Sequence, residues 1–171
     1  MKKLRLLLFE NCHRHCEGCC NKQFDLKALP LVKTWQGWGK IVLTGGEPML
    51  NPEYVLGVID AIRAEVPTPI YLYTAKVSNY RALTEILLRI DGLTVTLHEQ
   101  SDVPDFAGLL TYLEAVNFDL RLRSKSLRLN VFEGVSVSAV QLEGWKVKDN
   151  MRWIMDCPLP EGETLMRLRA P

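Results

Sequence analysis

Short apolar runs alternate along most of the chain with segments whose apolar residues recur at helical spacing. Five runs are predicted to be strands: 3–10, 39–44, 70–74, 93–98 and 120–123. Helices are predicted between them, at 51–67, 78–90 and 102–116. Strands and helices that alternate with short connections form parallel sheets with right-handed crossovers. The pattern therefore predicts an α/β fold.

The length of the chain limits how that sheet can close. A complete (β/α) barrel takes about 250 residues, and this chain has 171. After Ser124 the helices stop, and three short strands are predicted at 127–132, 135–140 and 145–147. We therefore expect a single domain, 1–171, built as an incomplete (β/α) barrel of about five or six mostly parallel strands. Its core is 1–125, and a small β-rich C-terminal appendage follows at 126–171.

Composition favours a globular protein of the cytoplasm. The chain is 47% hydrophobic and 24% charged, and its net charge of +1 argues against nucleic acid or an anionic membrane as a partner. The apolar run near the start ends at Glu10, too early for a secretory signal or a membrane span. Disulfides are rare in the cytoplasm, so clustered cysteines there more often bind metal or do chemistry.

Four of the five cysteines lie between Cys12 and Cys20, directly after the first predicted strand. Cys12, Cys16 and Cys19 have spacings that allow a shared centre, whereas Cys20 adjoins Cys19 and is poorly placed to join them. A second frame would use Cys20 instead of Cys19. Three thiols with His15 would suit a structural zinc ion. Three thiolates alone would suit a 4Fe–4S cluster whose fourth iron takes a ligand from outside the protein.

Other polar residues should lie beside this loop, because active sites of parallel α/β sheets occupy the carboxyl ends of the strands. That rule selects Thr74, His98 and Arg123 and the turn Gly45-Gly46-Glu47-Pro48 after the second strand. Thr96 shares a face of its strand with His98. We expect the cysteine loop and the diglycine turn to face each other.

Two motifs in this order resemble those of the radical S-adenosylmethionine (SAM) superfamily. They are Cys-x3-Cys-x2-Cys after the first strand and Gly-Gly-Glu-Pro after the second. The resemblance implies that Cys12, Cys16 and Cys19 hold a 4Fe–4S cluster whose open iron is chelated by SAM. One electron would then cleave SAM to methionine and a 5′-deoxyadenosyl radical, which takes hydrogen from a substrate. An external one-electron reductant such as flavodoxin or ferredoxin is implied.

The resemblance also implies which residues bind SAM. Gly45 and Gly46 would let the backbone approach the ligand, and Glu47 would accept hydrogen bonds from its ammonium group. The remaining contacts are expected from later strands: Thr74, Thr96, His98 and Arg123. One position departs from the family, which often has an aromatic residue before the third cysteine, where this chain has Gly18.

The substrate is left open between two classes. The stretch from Cys16 to Lys22 is similar to activating components of anaerobic ribonucleotide reductases, which implies a partner protein whose glycine becomes a radical. Carboxy-deazaguanine synthases of the same superfamily are also small, which implies a small heterocycle. A non-enzymatic zinc or Fe–S module is a further alternative, but it leaves the Gly-Gly-Glu-Pro turn unexplained. Cys20 is expected to be a packed thiol and Cys157 a free one.

Overall fold

The computed structural model describes residues 2–154 and 158–168. Its strands are β1 (Lys3–Leu7), β2 (Lys40–Thr44), β3 (Ile70–Thr74), β4 (Gly92–Leu97), β5 (Ser126–Phe132), β6 (Trp145–Met151) and β7 (Glu163–Arg167). Its main helices are α1 (Pro52–Glu65), α2 (Tyr80–Leu87) and α3 (Val103–Ala115). None of the helices in the described ranges is long and apolar enough to cross a membrane.

The strands form one open, parallel sheet in the order β6-β5-β4-β3-β2-β1-β7. The predicted α/β class is thereby confirmed, with seven strands in the described residues rather than five or six. The C-terminal part of the chain is rich in strands, as expected, and those strands extend the same sheet. β5 and β6 lie beyond β4, whereas β7 adds to the other edge and pairs with β1.

The chain divides into two compact units. The first comprises Met1–Tyr71 and Trp153–Pro171 and is called the terminal unit below; the second comprises Leu72–Arg152 and is called the middle unit. The candidate residues fall into both units.

The terminal unit is built around β1, which pairs with β2 on one side and with β7 on the other. Both neighbours are parallel, and strands covered in this way are rich in apolar residues. Leu4, Leu6, Ile41 and Leu43 are accordingly fully buried. Asn51 starts α1, because its side-chain oxygen accepts a hydrogen bond from the backbone N–H of Tyr54 at 3.1 Å.

In the middle unit, side-chain caps fix where the helices begin. Asn79 caps α2 by accepting from the Ala82 N–H at 3.2 Å, one residue after the predicted cap at Ser78. Before α3, Asp102 accepts from the backbone N–H groups of His98 and Glu99 at 2.8 and 3.1 Å. Asp102 therefore fixes the path of the chain where it leaves β4.

The predicted strand 120–123 is wrong, because residues 120–122 belong to a single helical turn, Asp119–Leu122, and Arg123 follows as its C-cap. Asn117 ends α3 in the left-handed conformation, with φ of 54°. The Phe118 carbonyl then accepts from the N–H groups of Arg121 and Leu122. Alternating leucine and arginine over four residues suits a strand or a helical turn, and the reversal at Asn117 decides for the turn.

The predicted strand 135–140 is also wrong, and these residues form a loop between β5 and β6. Gly134 reverses the chain with φ of 84°, and the Val140 N–H closes a turn on the Val137 carbonyl. Gln100 holds this loop, since its side chain accepts from the Ser136 N–H at 2.8 Å. The alternation of valine and serine in this stretch predicted a half-buried strand. In the structure these residues instead form a loop that runs over the surface.

Candidate functional site

The three candidate cysteines lie in the loop that leaves the carboxyl end of β1. Cys12, Cys16 and Cys19 are all free and half-buried. Burial raises the pKa of the Cys16 thiol, the charges of Cys19 and Cys12 raise it further, and Arg14 opposes them. Cys16 is therefore close enough to both other thiols for their charges to affect its ionisation.

The described residues contain no group of three or more His, Cys, Asp or Glu side chains placed to hold a metal ion. A cubane cluster differs from a single ion, since each of three irons takes its own thiolate. Its cysteine ligands consequently surround a larger body than the ligands of one zinc ion do. Three thiols from one loop, with Cys16 influenced by the other two, fit that donor set in number and chemistry.

Lys22 holds this loop, although it was not among the site residues predicted from the sequence. Its ammonium group donates to the Cys16 carbonyl at 2.8 Å. Its backbone N–H donates to the Cys19 carbonyl at 3.0 Å, within a short 3-10 turn at Cys20–Gln23. Lys22 therefore forms hydrogen bonds with the backbone of two of the three cysteines. Lysine in a loop is usually solvated, so its identity alone gave no signal.

The diglycine turn after β2 lies directly against the exit of β1, as expected. Gly45 and Gly46 have φ of 84° and 54°, which residues with a Cβ rarely adopt. A Cβ at Gly46 would overlap the carbonyl oxygen of Asn11 and lie 2.8 Å from that of Phe9. The Glu47 N–H also donates to the Asn11 carbonyl at 2.9 Å. The turn therefore contacts the backbone immediately before Cys12.

Glu47 is a buried carboxylate, with only 2% of its surface exposed. One of its oxygens accepts from the Met49 N–H at 2.9 Å and caps the 3-10 turn Pro48–Leu50. This hydrogen bond fixes the orientation of the carboxylate, while the backbone N–H of the same residue contacts Asn11. The predicted acceptor is thus held in place by its own turn, and an oriented carboxylate can bind an ammonium group without reorganising.

Thr74, Thr96 and His98 all belong to the middle unit. Thr74 ends β3 and is 5% exposed, and its hydroxyl bonds both the N–H and the carbonyl of Lys76, at 3.0 and 3.1 Å. Here its hydroxyl stabilises the turn after β3. Thr96 and His98 lie at the carboxyl end of β4, where the Thr96 hydroxyl accepts from the Asn130 side chain at 3.3 Å.

Two residues of β5 complete the group around Thr96 and His98. Asn130 is the register partner of Thr96, and the Phe132 ring lies 4.7 Å from the His98 ring. Neither residue was predicted from the sequence, although strand 127–132 was. Their signal was the parallel register of β5 beside β4, which places alternate residues opposite Thr96 and His98.

Arg123 lies elsewhere. It ends the helical turn that precedes β5, and it is exposed at the amino end of that strand. The expected place at a carboxyl end was wrong because the strand assigned to it is helical. Arg123 is therefore separated along β5 from Asn130 and Phe132, which lie towards the other end.

The remaining cysteines add little to the described site. Cys157, which was predicted to be a free thiol, lies outside the described residues. The side chain of Cys20, which was predicted to be packed, also lies outside them. His13 and His15 are exposed, and a ring nitrogen of His13 lies 4.0 Å from the Cys12 sulfur.

An aromatic ring does lie on the cysteine loop, although the sequence offers none before Cys19. A Cβ at Gly18 would lie 2.9 Å from the Cβ of Trp153 and 3.0 Å from its ring atom Cε3. Trp153 belongs to the C-terminal segment of the same unit. This contact could not be predicted from the sequence, because it joins distant parts of the chain.

Comparison of the chain with known family models and with curated proteins finds no match.

Proposed function

We propose that this chain is a radical SAM enzyme in which Cys12, Cys16 and Cys19 ligate a 4Fe–4S cluster. The observation that carries the proposal is the contact between the diglycine turn and the start of the cysteine loop. Two motifs that are distant in sequence meet through backbone atoms. A zinc or electron-transfer module would need the cysteines but not this turn.

The residues of the terminal unit have distinct roles in this proposal. Gly45 and Gly46 leave room for Leu7 and for the carbonyls of Phe9 and Asn11, so that the turn can lie directly against the start of the cysteine loop. The oriented carboxylate of Glu47 binds the ammonium group of SAM. Lys22 holds the loop backbone at Cys16 and Cys19. When bound, a reduced cluster would supply the electron that cleaves SAM. An external one-electron donor would then reduce the cluster again.

The contacts expected from Thr74, Thr96 and His98 stay predictions of the resemblance. Each is tested by replacing the residue with alanine and measuring SAM affinity in the loaded protein.

The deciding experiment is anaerobic reconstitution with iron and sulfide, followed by dithionite and SAM. We expect a cubane complement and the products methionine and 5′-deoxyadenosine. Cys16→Ala should lose both. Cys20→Ala is the matched control, since it removes a neighbouring thiol that the proposal leaves unused, and it should retain both.

Two results would contradict the proposal. Zinc bound in place of iron in anaerobically prepared protein would favour a structural site. Loss of the cluster in Cys20→Ala, with retention in Cys19→Ala, would show that the third ligand is Cys20 and not Cys19. A loaded protein that yields no product is resolved by measuring SAM binding, because a radical SAM enzyme awaiting its substrate still binds SAM.

A further inference from the structure

Gly18 is a glycine because of what lies against it. Its φ is outside the left-handed region, so its backbone conformation is open to residues with a side chain. The space that a Cβ would need is filled by Trp153, from which it would be only 2.9 Å away. Absence of a side chain at Gly18 therefore lets the Trp153 ring lie directly on the backbone between Cys16 and Cys19.

The segment that carries Trp153 is fixed to the same unit by a second set of contacts. Its strand β7 pairs with β1, the strand that leads into the cysteine loop. At the end of β7, Arg167 donates to the carbonyls of Lys27 and Leu29, at 2.9 and 3.3 Å. Contacts thus hold the segment both at the loop, through Trp153, and just beyond it, through Arg167.

We propose that Trp153 is a cover on the cysteine loop, which limits the access of water and oxidants to Cys16 and Cys19. An apolar group beside a metal site controls solvent access and the local dielectric. The ring also lies against Gly18, the position at which the resembled family often has an aromatic residue. The proposed protection of the thiols is argued from the contact at Gly18, whereas protection of a cluster also rests on the proposed function.

The first test uses the metal-free protein and so does not depend on a cluster. Iodoacetamide alkylation is followed at each cysteine by mass spectrometry, with Cys12 as the internal reference. In Trp153→Ala, Cys16 and Cys19 should react several-fold faster relative to Cys12 than in the wild type. Trp153→Phe keeps a ring at this position and should restore most of the protection. Unchanged relative rates in Trp153→Ala would overturn the proposal.

Two further variants separate a local cover from general loosening. Trp38→Ala removes another half-buried tryptophan of the terminal unit, one that bonds the Thr34 carbonyl, and should leave the ratios unchanged. Gly18→Ala keeps the indole but forces it away, and should raise reactivity as Trp153→Ala does. If Trp153→Ala fails to fold by circular dichroism, Gly18→Ala decides the question.

The second test asks whether the cover lies beside bound iron. The emission of Trp153 is taken as the difference between the wild type and Trp153→Phe. Reconstitution with iron and sulfide should quench this difference emission, because a coloured cluster on the loop lies close to the indole. Trp153→Ala should also lose its cluster in air about 10-fold faster. A loaded protein with an unquenched difference emission would contradict the cover, whereas failure to load iron would contradict the proposed function alone.

Discussion

Replacement of Gly46 by alanine tests whether the diglycine turn needs its contact with the cysteine loop. The left-handed φ of 54° costs a residue with a Cβ about 1–2 kcal/mol. The new methyl group would also overlap the Asn11 carbonyl oxygen and lie 2.8 Å from that of Phe9. These are backbone atoms, so no side-chain rotation relieves the overlap. Separating the two segments loses the hydrogen bond from Glu47 to Asn11, worth about 1 kcal/mol.

The chain offers a matched control in Gly37→Ala. Gly37 has φ of 82°, but a Cβ there meets nothing within 4 Å. Both changes restrict the unfolded chain equally, so that contribution cancels in the comparison. We expect Gly46→Ala to lower the free energy of unfolding by about 2–3 kcal/mol, and Gly37→Ala by about 1–2 kcal/mol.

Urea unfolding followed by circular dichroism measures both variants. Comparison is valid if the two share one m-value, since the same surface is then exposed on unfolding. Losses that agree within about 0.5 kcal/mol would show that the contact with Asn11 carries no stability, and they would refute the reasoning.

Three other perturbations have expected outcomes. Burial and the neighbouring thiols raise the pKa of Cys16, so its alkylation should set in at a higher pH than that of free cysteine. The contribution of the Cys16 thiol to the free energy of unfolding is full below the ordinary thiol pKa. It is lost as the pH rises through the raised pKa of Cys16. A pH–rate profile equal to that of free cysteine would contradict this. Glu163→Gln should cost about 1–2 kcal/mol in urea unfolding, because it weakens the 2.8 Å pair with Arg5 between β7 and β1; an unchanged midpoint at low salt would count against it. Asp102→Ala should cost about 1–2 kcal/mol and shift the amide resonance of His98, since the carboxylate accepts from that N–H; an unmoved resonance would disprove the contact.

The sequence predicted the terminal part of the candidate site because local rules sufficed there. β1 and β2 were recognisable as buried apolar runs, and neighbouring parallel strands end at the same edge of a sheet. Contact between the residues after β1 and the turn after β2 followed from that rule. Gly45 and Gly46 gave a strong signal, since two successive glycines after a strand favour positive φ and close approach.

Residues that depend on pairing between distant segments could not be predicted in the same way. Asn130 became a neighbour of Thr96 only when β5 took its register beside β4. Trp153 reaches Gly18 from the far end of the chain, and no periodicity within either segment indicates it. Arg123 was misplaced for the opposite reason: alternation over four residues looked like a strand, and the left-handed Asn117 upstream decided the conformation.

The pairing of β7 with β1 has a consequence for the order in which the protein can be made. The ion pair between Arg5 and Glu163 joins residues 158 positions apart, so β1 acquires its second neighbour only after nearly all of the described chain has been synthesised. Until then β1 has an open edge, and the thiols that follow it lack the cover of Trp153. Long-range pairing of this kind forms slowly, because a large loop must close first. During synthesis the nascent chain therefore exposes its cysteines before Trp153 can lie on the loop that carries them.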